Sequence, residues 1–350
     1  MNCLRTVCKP RASSKRACLA AVSALIACAA ASCSALAADG ESPPLLDAIQ
    51  REVQNIFEKC RSSVVRIEAT DQHGYLSGTG FFIDPNGLLY TSYTVGGESH
   101  DIQVAFGGAH YPAHRLVSDV RSGIAILKID AQTPFLTFGN SRQLALASPV
   151  IAIGYPMALP LTPVFGTVGG FDLKYQGRYF ATSHIRANLP VQRGEGGAPM
   201  VNSRGEVVGI LISRLGADNA FALPIEAAEK IRKDFVRFRE VRPGWIGVRI
   251  KPLEEPLDGS TAAIEETLPD APGQKAGLLP GDVIVRIGDH QITSTEDVLD
   301  ASFFLTAEDD TVIRVYREGS ERQFTVTPTD NPDARVSTTN PPEPPLKIDR

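Results

Sequence analysis

The sequence predicts a mainly β protein in which two globular modules follow an N-terminal leader. Three observations lead to this prediction: a glycine-rich loop that precedes an apolar strand pattern, a tight turn followed by alternating apolar residues, and a basic segment followed by a long uncharged run. The chain has 350 residues, of which 43% are hydrophobic and 21% charged. A chain of this length and composition can form two or three hydrophobic cores.

Residues 1–37 have the pattern of a secretory signal peptide. Five basic residues lie within the first 16 positions, and the run from Ala17 to Ala38 carries no charge. A basic start, an apolar centre and a small-residue end define such a leader. Two processing routes stay open: cleavage after Ala37, which predicts a soluble periplasmic protein, and lipid attachment at Cys28, which predicts a membrane anchor. We favour soluble release.

The cysteine positions and the net charge limit which disulfides and which partners the protein can have. Only Cys60 remains after cleavage at Ala37, so no intramolecular disulfide can form. Cys60 ends an amphipathic pattern that predicts a helix within residues 38–62 and a buried thiol. The formal net charge is −5 and becomes more negative without the leader, which argues against nucleic acid as a partner. We predict no cofactor and no metal site.

The segment Arg193–Met200 is the most informative part of the chain. Its glycines permit positive φ angles and close approach of the backbone, so the amides of Gly194 and Gly196 can converge on one point. Such a pair of amides would accept a peptide carbonyl or a carboxylate; the alternative is a collapsed loop. Glu195 is expected to be a solvated loop carboxylate. The strand pattern at 207–212 follows this loop.

Several motifs in register resemble the HtrA (DegP/DegS-like) family of trypsin-fold envelope proteases. The resemblance runs from about Val64 to about Thr327 and implies a trypsin-like double six-stranded β-barrel over residues 63–228. The motifs that carry it in this part of the chain are the segments 78–95, 119–129, 150–156, 193–200 and 221–225.

Carried onto this sequence, the family's catalytic histidine falls on Thr94, its aspartate on Gly123 and its serine on Gly196. Acyl transfer on this scaffold needs the nucleophile, the base and the orienting carboxylate. The substitutions therefore predict a pseudoprotease, not an enzyme, with a relic oxyanion loop at Gly194, Glu195 and Gly196. The alternative is an atypical serine-type endopeptidase, for which Ser92 and Ser122 are the neighbouring hydroxyls.

The second module resembles a PDZ domain over residues 243–328. Trp245, Ile246, Gly247 and Val248 resemble the x-Φ-G-Φ loop that receives a peptide's terminal carboxylate, and the resemblance makes these four the peptide-binding residues. The Pro280–Asp282 turn and the alternating residues after it predict a strand without help from the resemblance. Trp245 has a second interpretation, as an apolar plug between the domains.

The expected function is binding of exposed C-termini or misfolded polypeptides in the cell envelope, in support of protein quality control. The resemblance also implies homo- or hetero-trimers with HtrA-like proteins, while a tethering role for the PDZ domain is a further alternative. Membrane association is expected only with lipidation at Cys28. A basic linker helix is predicted at 229–242, and a disordered, proline-rich tail at 329–350.

Overall fold

The computed structural model describes residues 44–331. The predicted signal peptide, Cys28 and most of the predicted tail lie outside the described residues. Helix α1 spans Pro44–Cys60, and residues 52–331 belong to one compact unit. Cys60 is fully buried at the end of α1, as its apolar pattern predicts. No helix within 44–331 is long and apolar enough to cross a membrane.

The first half of the peptidase-like region is a seven-stranded antiparallel sheet with the order β5-β4-β1-β2-β3-β7-β6. It has one strand more than the predicted six, because Gly107 and Gly108, both at positive φ, turn the chain back into a short hairpin. The one-turn helix α2, Tyr93–Gly96, follows β3. The strands are β1 Val64–Asp71, β2 Gly74–Phe82, β3 Leu88–Ser92, β4 His100–Phe106, β5 Ala109–Pro112, β6 His114–Asp119 and β7 Ile124–Lys128.

The second half is a closed six-stranded barrel with the order β10-β13-β12-β11-β8-β9. Alternating apolar residues fill its interior, among them Ala152, Ile185 and Leu211. The predicted mainly β class is confirmed. The strands are β8 Pro149–Gly154, β9 Thr162–Tyr175, β10 Arg178–Asn188, β11 Pro199–Val201, β12 Val207–Leu215 and β13 Asn219–Pro224.

Helix α3 connects the barrels to the second module. It runs Ile225–Phe238, so it starts earlier and ends earlier than the predicted 229–242. Its end is set by Arg239, which has φ 66° and ψ 12° in the left-handed region. Ile231 on its apolar face is fully buried, and Val236 on the other face is exposed.

The second module is a six-stranded sheet with the order β14-β15-β16-β18-β19, to which β17 adds beside β16. Strand β14 lies at the edge and has one partner, β15. Helix α5 begins with a capping box in which Ser294 and Asp297 exchange hydrogen bonds. The elements are β14 Val248–Leu257, β15 Ser260–Thr267, α4 Pro272–Lys275, β16 Val283–Ile287, β17 His290–Gln291, α5 Thr295–Phe303, β18 Thr311–Arg317 and β19 Ser320–Val326.

Candidate functional site

Thr94, Gly123 and Gly196 lie close together where the two halves of the peptidase-like region face each other. The amide of Tyr93 donates to the Gly123 carbonyl at 2.7 Å, which ties α2 to the turn before β7. A Cβ atom added at Gly196 would lie 3.2 Å from Ser92 Oγ and 4.0 Å from Thr94 Oγ1. The hydroxyl groups of Ser92 and Thr94 therefore lie next to the glycine loop.

The glycine loop is held by its carbonyl groups. The Gly194 carbonyl accepts the hydroxyl of Thr79 at 2.7 Å, and the Gly196 carbonyl accepts the amide of the same residue at 3.1 Å. The amides of Gly194 and Gly196 donate no hydrogen bond within the described part of the chain, and both residues are partly exposed. These two donors are free to bind an oxygen atom of a ligand.

Glu195 is not the solvated carboxylate that the sequence suggested. It is 1% exposed, and its Oε2 accepts the amide of Gln192 at 2.5 Å. Its Oε1 is buried without a partner among residues 44–331. Burial raises the pKa of this carboxyl, with the Gln192 amide opposing the shift. Its Cγ would lie 3.1 Å from a Cβ at Gly154, which shows that β8 covers the side chain.

The cleft has hydroxyl groups but, among the described residues, no imidazole bonded to them. Thr94 Oγ1 donates to Ser92 Oγ at 3.0 Å, and Ser92 is fully buried. No hydrogen bond within 44–331 joins either hydroxyl to a histidine. His184, for example, is buried in the second barrel, where its Nδ1 lies 2.8 Å from the Thr182 carbonyl and desolvation lowers its pKa to about 4.

The backbone conformation and the packing at position 123 disfavour a carboxylate side chain. Its φ is +77°, and an added Cβ would lie 2.6 Å from Ile212 Cγ2. A side chain at this position would be strained and would have to displace a partly buried isoleucine of β12. The backbone that holds this turn is therefore adapted to glycine.

The loop at residues 245–248 of the second module has free amide donors. Gly247 is buried at φ +70°, and its Cβ position would lie 2.3 Å from Ala271 Cβ. The amides of Ile246 and Gly247 donate no hydrogen bond within the described residues, while their carbonyls accept the amides of Gly273 and Leu268. The loop leads directly into the edge strand β14.

Trp245 is the first residue of this loop, and its indole ring packs against Gly247. The Trp245 amide donates to the Thr329 carbonyl at 2.8 Å, and the Trp245 carbonyl accepts the Thr329 amide at 3.0 Å. The indole ring is partly buried and lies 2.9 Å from the position of a Cβ on Gly247. It therefore forms one wall of the loop, whereas Ile246 points into the PDZ core at 7% exposure.

Comparison with known proteins agrees with this architecture. The Trypsin-like peptidase domain family matches residues 78–210, and the PDZ domain family matches residues 244–327. The chain therefore combines a trypsin-like peptidase domain with a single PDZ domain, and it is similar to HtrA-type proteins. The chain is 31% identical over 302 residues to the "Serine protease HTRA1" of Xenopus tropicalis, in a match that covers 77% of this chain and 65% of that protein.

A bacterial relative and a solved structure are also similar to this chain. The "Probable periplasmic serine endoprotease DegP-like" of Halomonas elongata is 29% identical, over 74% of this chain and 57% of that protein. The chain thus spans less than two thirds of the length of both relatives. The structure titled "HtrA-type protease AlgW with tripeptide" has a TM-score of 0.65 at 23% identity, over 80% of this chain and 97% of that one, and supports the fold.

These relatives contradict the expectation that the chain is not an enzyme. They are named serine protease and serine endoprotease, and the structural neighbours are HtrA-type proteases, so the comparisons point to a protease. The sequence has Thr94, Gly123 and Gly196 at the positions onto which the resemblance carries the catalytic residues, and this does not by itself decide the activity.

Proposed function

We propose that this HtrA-type protein recognises unfolded or exposed polypeptide C-termini in the periplasm, with the PDZ domain as its receptor. The observation that carries the proposal is the pair of unengaged amides at Ile246 and Gly247, next to the free edge of β14. An extended peptide can add to that edge as a further strand, while the amides cap its carboxylate. Assembly with HtrA-like partners, as homo- or hetero-trimers, belongs to the same proposal.

The glycine loop of the peptidase-like domain gives this proposal a second polypeptide contact. Its two free amides, at Gly194 and Gly196, can donate to a backbone carbonyl of a bound chain. A polypeptide held by its end at the PDZ domain would present its upstream part to this loop. The periplasmic location is supported by the name of the DegP-like relative.

Binding of labelled decapeptides to the full-length protein tests the PDZ proposal. In an array that varies the last residue, peptides with a free carboxylate are expected to bind at least about tenfold more tightly than the same sequences with a C-terminal amide, because charge-assisted hydrogen bonds are lost. Equal affinity for acid and amide across the array would exclude this mode of recognition.

A pair of glycine variants supplies the matched control. Gly247→Ala places a Cβ against Ala271 and is expected to abolish the preference for the acid. Gly259→Ala has a similar positive φ of +77° but no atom within 4 Å of the new Cβ, and it should keep the preference. Thermal unfolding followed by circular dichroism reports whether each variant is folded, because the new Cβ of Gly247→Ala lies against the Trp245 ring and would change its fluorescence without unfolding.

Hydrolysis by an atypical serine-type site is a second candidate, favoured by the position of Ser92. Its Oγ lies 3.2 Å from the Cβ position of Gly196, next to the free amides of the loop. No side-chain base bonded to it is found among residues 44–331, where its hydroxyl partner is Thr94. We therefore expect slow turnover compared with a Ser-His-Asp enzyme.

Turnover of unfolded, dye-labelled casein by a protease-free preparation tests this candidate. Ser92→Ala is expected to reduce cleavage to the buffer background. The control is Ser122→Ala, because Ser122 is also buried but its hydroxyl donates to the Asp119 carbonyl and has no hydrogen bond to the glycine loop. Cleavage that survives Ser92→Ala unchanged would rule out Ser92 as the nucleophile.

A further inference from the structure

The PDZ domain contacts the second barrel through helix α5 and through the residue that begins β17. Asp300 on α5 accepts the hydroxyl of Thr182 at 2.5 Å and the amide of Ser183 at 2.6 Å, both through its Oδ1. The two donors belong to strand β10, and Asp300 is partly buried. One carboxylate oxygen therefore joins the PDZ domain to the barrel.

A second contact of this interface places a histidine against an arginine. The Nε2 atom of His290 lies 3.0 Å from the Nη2 atom of Arg142, which belongs to the short 3-10 turn before β8. The ring of Phe304 lies beside both groups, since its centroid is 4.5 Å from that of the imidazole and 5.7 Å from the guanidinium carbon. His290 is partly buried and Arg142 is exposed.

The contact between His290 and Arg142 requires a neutral imidazole. A guanidinium group can only donate hydrogen bonds, so the Nε2 atom of His290 must be the acceptor. Protonation places a hydrogen and a positive charge on the imidazole, which removes the acceptor. The hydrogen bond is then replaced by repulsion between two cations.

The charged groups around His290 are divided between the two domains. Arg142 comes from the barrel side, whereas Asp289 and Asp300 come from the PDZ domain itself. The guanidinium group of Arg286, on the neighbouring strand β16, donates to two carbonyl groups of the turn before β17. Burial and the Arg142 guanidinium lower the pKa of His290, and the two carboxylates oppose the shift.

Separation of the two domains would raise the pKa of His290. The carboxylates of Asp289 and Asp300 stay with His290 when the PDZ domain leaves the barrel, whereas Arg142 does not. The separated form therefore binds the proton more tightly, so the docked form is favoured above the ordinary pKa of 6.5 and weakens as the pH falls below it. His184, which faces Asp300 from the barrel, has a pKa of about 4 and stays neutral in this range.

We propose that His290 acts as an acid-sensitive latch, which holds the PDZ domain against the second barrel at neutral pH and releases it in acid. The bond from Thr306 to Asp234 does not involve His290, so the released domain stays attached to helix α3. The consequence for binding rests on the proposed function: release changes the position of the PDZ loop relative to the glycine loop, and with it the reach of one bound polypeptide.

The amide of Ser183 reports the state of the latch, because its acceptor, Asp300, lies on the other side of the interface. Its hydrogen exchange in the full-length protein is measured at about pH 7.5 and about pH 5.5 and divided into the intrinsic rate at each pH. This protection factor should fall about threefold to tenfold in acid. The Leu279 amide, which donates to Asp282 Oδ2 at 2.9 Å within the PDZ domain, is the internal control and should keep its protection.

Three variants decide whether His290 is responsible. His290→Gln keeps an acceptor for Arg142 but does not titrate, so its Ser183 protection should be the same at both pH values. His114→Gln, at an exposed position on β6, is the matched control and should show the fall of the wild type. Arg142→Gln should raise the pKa of His290, measured from its imidazole proton resonances, and should reduce the fall to less than about twofold.

The proposal is overturned if the wild type shows no fall in Ser183 protection, or if His290→Gln shows the same fall as the wild type. The second result would mean that a carboxylate such as Asp300 carries the pH effect. If His290→Gln proves unstable in thermal unfolding, Arg142→Gln decides, and an unchanged pKa of His290 or a full fall in that variant would overturn the proposal. No peptide enters these measurements, so failure here leaves the PDZ proposal unaffected.

Discussion

Gly197→Ala is expected to lower the free energy of unfolding of the peptidase-like domain by about 3–5 kcal/mol. Gly197 has a φ of +87°, so an alanine there adopts a left-handed backbone that costs about 1–2 kcal/mol. The larger cost is steric, since the new Cβ would lie 2.2 Å from the Thr79 carbonyl oxygen and 2.6 Å from the Ser92 amide nitrogen. Both contacts are with backbone atoms of strands β2 and β3.

Urea unfolding followed by far-ultraviolet circular dichroism measures this effect, while Trp245 fluorescence follows the PDZ domain separately. Gly216→Ala is the control, because its φ is +66° and no atom lies within 4 Å of the new Cβ. It should lose only about 1–2 kcal/mol, the cost of the left-handed backbone. Equal losses in the two variants would show that the loop is not packed against β2 and β3.

Asp234→Ala is expected to destabilise the protein by about 3–5 kcal/mol, since it leaves the buried Lys230 without its counter-charge. Asp234 is 3% exposed, and its Oδ2 accepts Lys230 Nζ at 2.6 Å and the Arg242 amide at 3.0 Å. Its Oδ1 accepts the hydroxyl of Thr306 at 3.0 Å. One carboxylate thus connects helix α3, the linker and the PDZ domain.

Thermal unfolding and amide exchange of residues 305–309 test this prediction. Exchange in that segment should increase in Asp234→Ala, because the Thr306 contact is lost. The double variant Lys230→Met with Asp234→Leu removes both charges and should recover a large part of the lost stability. A loss below about 1 kcal/mol in Asp234→Ala would indicate that the pair is solvated in solution.

Local patterns in the sequence were sufficient to predict the main elements of the fold. The Pro280–Asp282 turn is followed by strand β16, and the apolar run at 207–212 lies within β12. The extra strand of the first sheet was not predicted. It depends on a two-glycine turn that pairs β5 with β4, whereas the predicted count came from the family resemblance.

The site was predictable only in part. Order and spacing of motifs brought Thr94, Gly123 and Gly196 together, but burial of individual side chains depends on contacts between distant segments. Glu195 was expected in solvent, yet strand β8 covers it at Gly154. In the same way, Ile212 closes the space beside Gly123, and no local pattern around residue 123 could reveal this.

The most direct test of C-terminus recognition is the amide signal of Gly247 in the full-length protein during titration with a C-terminal peptide, measured by nuclear magnetic resonance. If the amides of Ile246 and Gly247 hold a carboxylate, both proton resonances should move downfield with the peptide acid and stay in place with its amide. If a peptide acid binds while both resonances remain unchanged, the PDZ loop is not the receptor and the proposed function is contradicted.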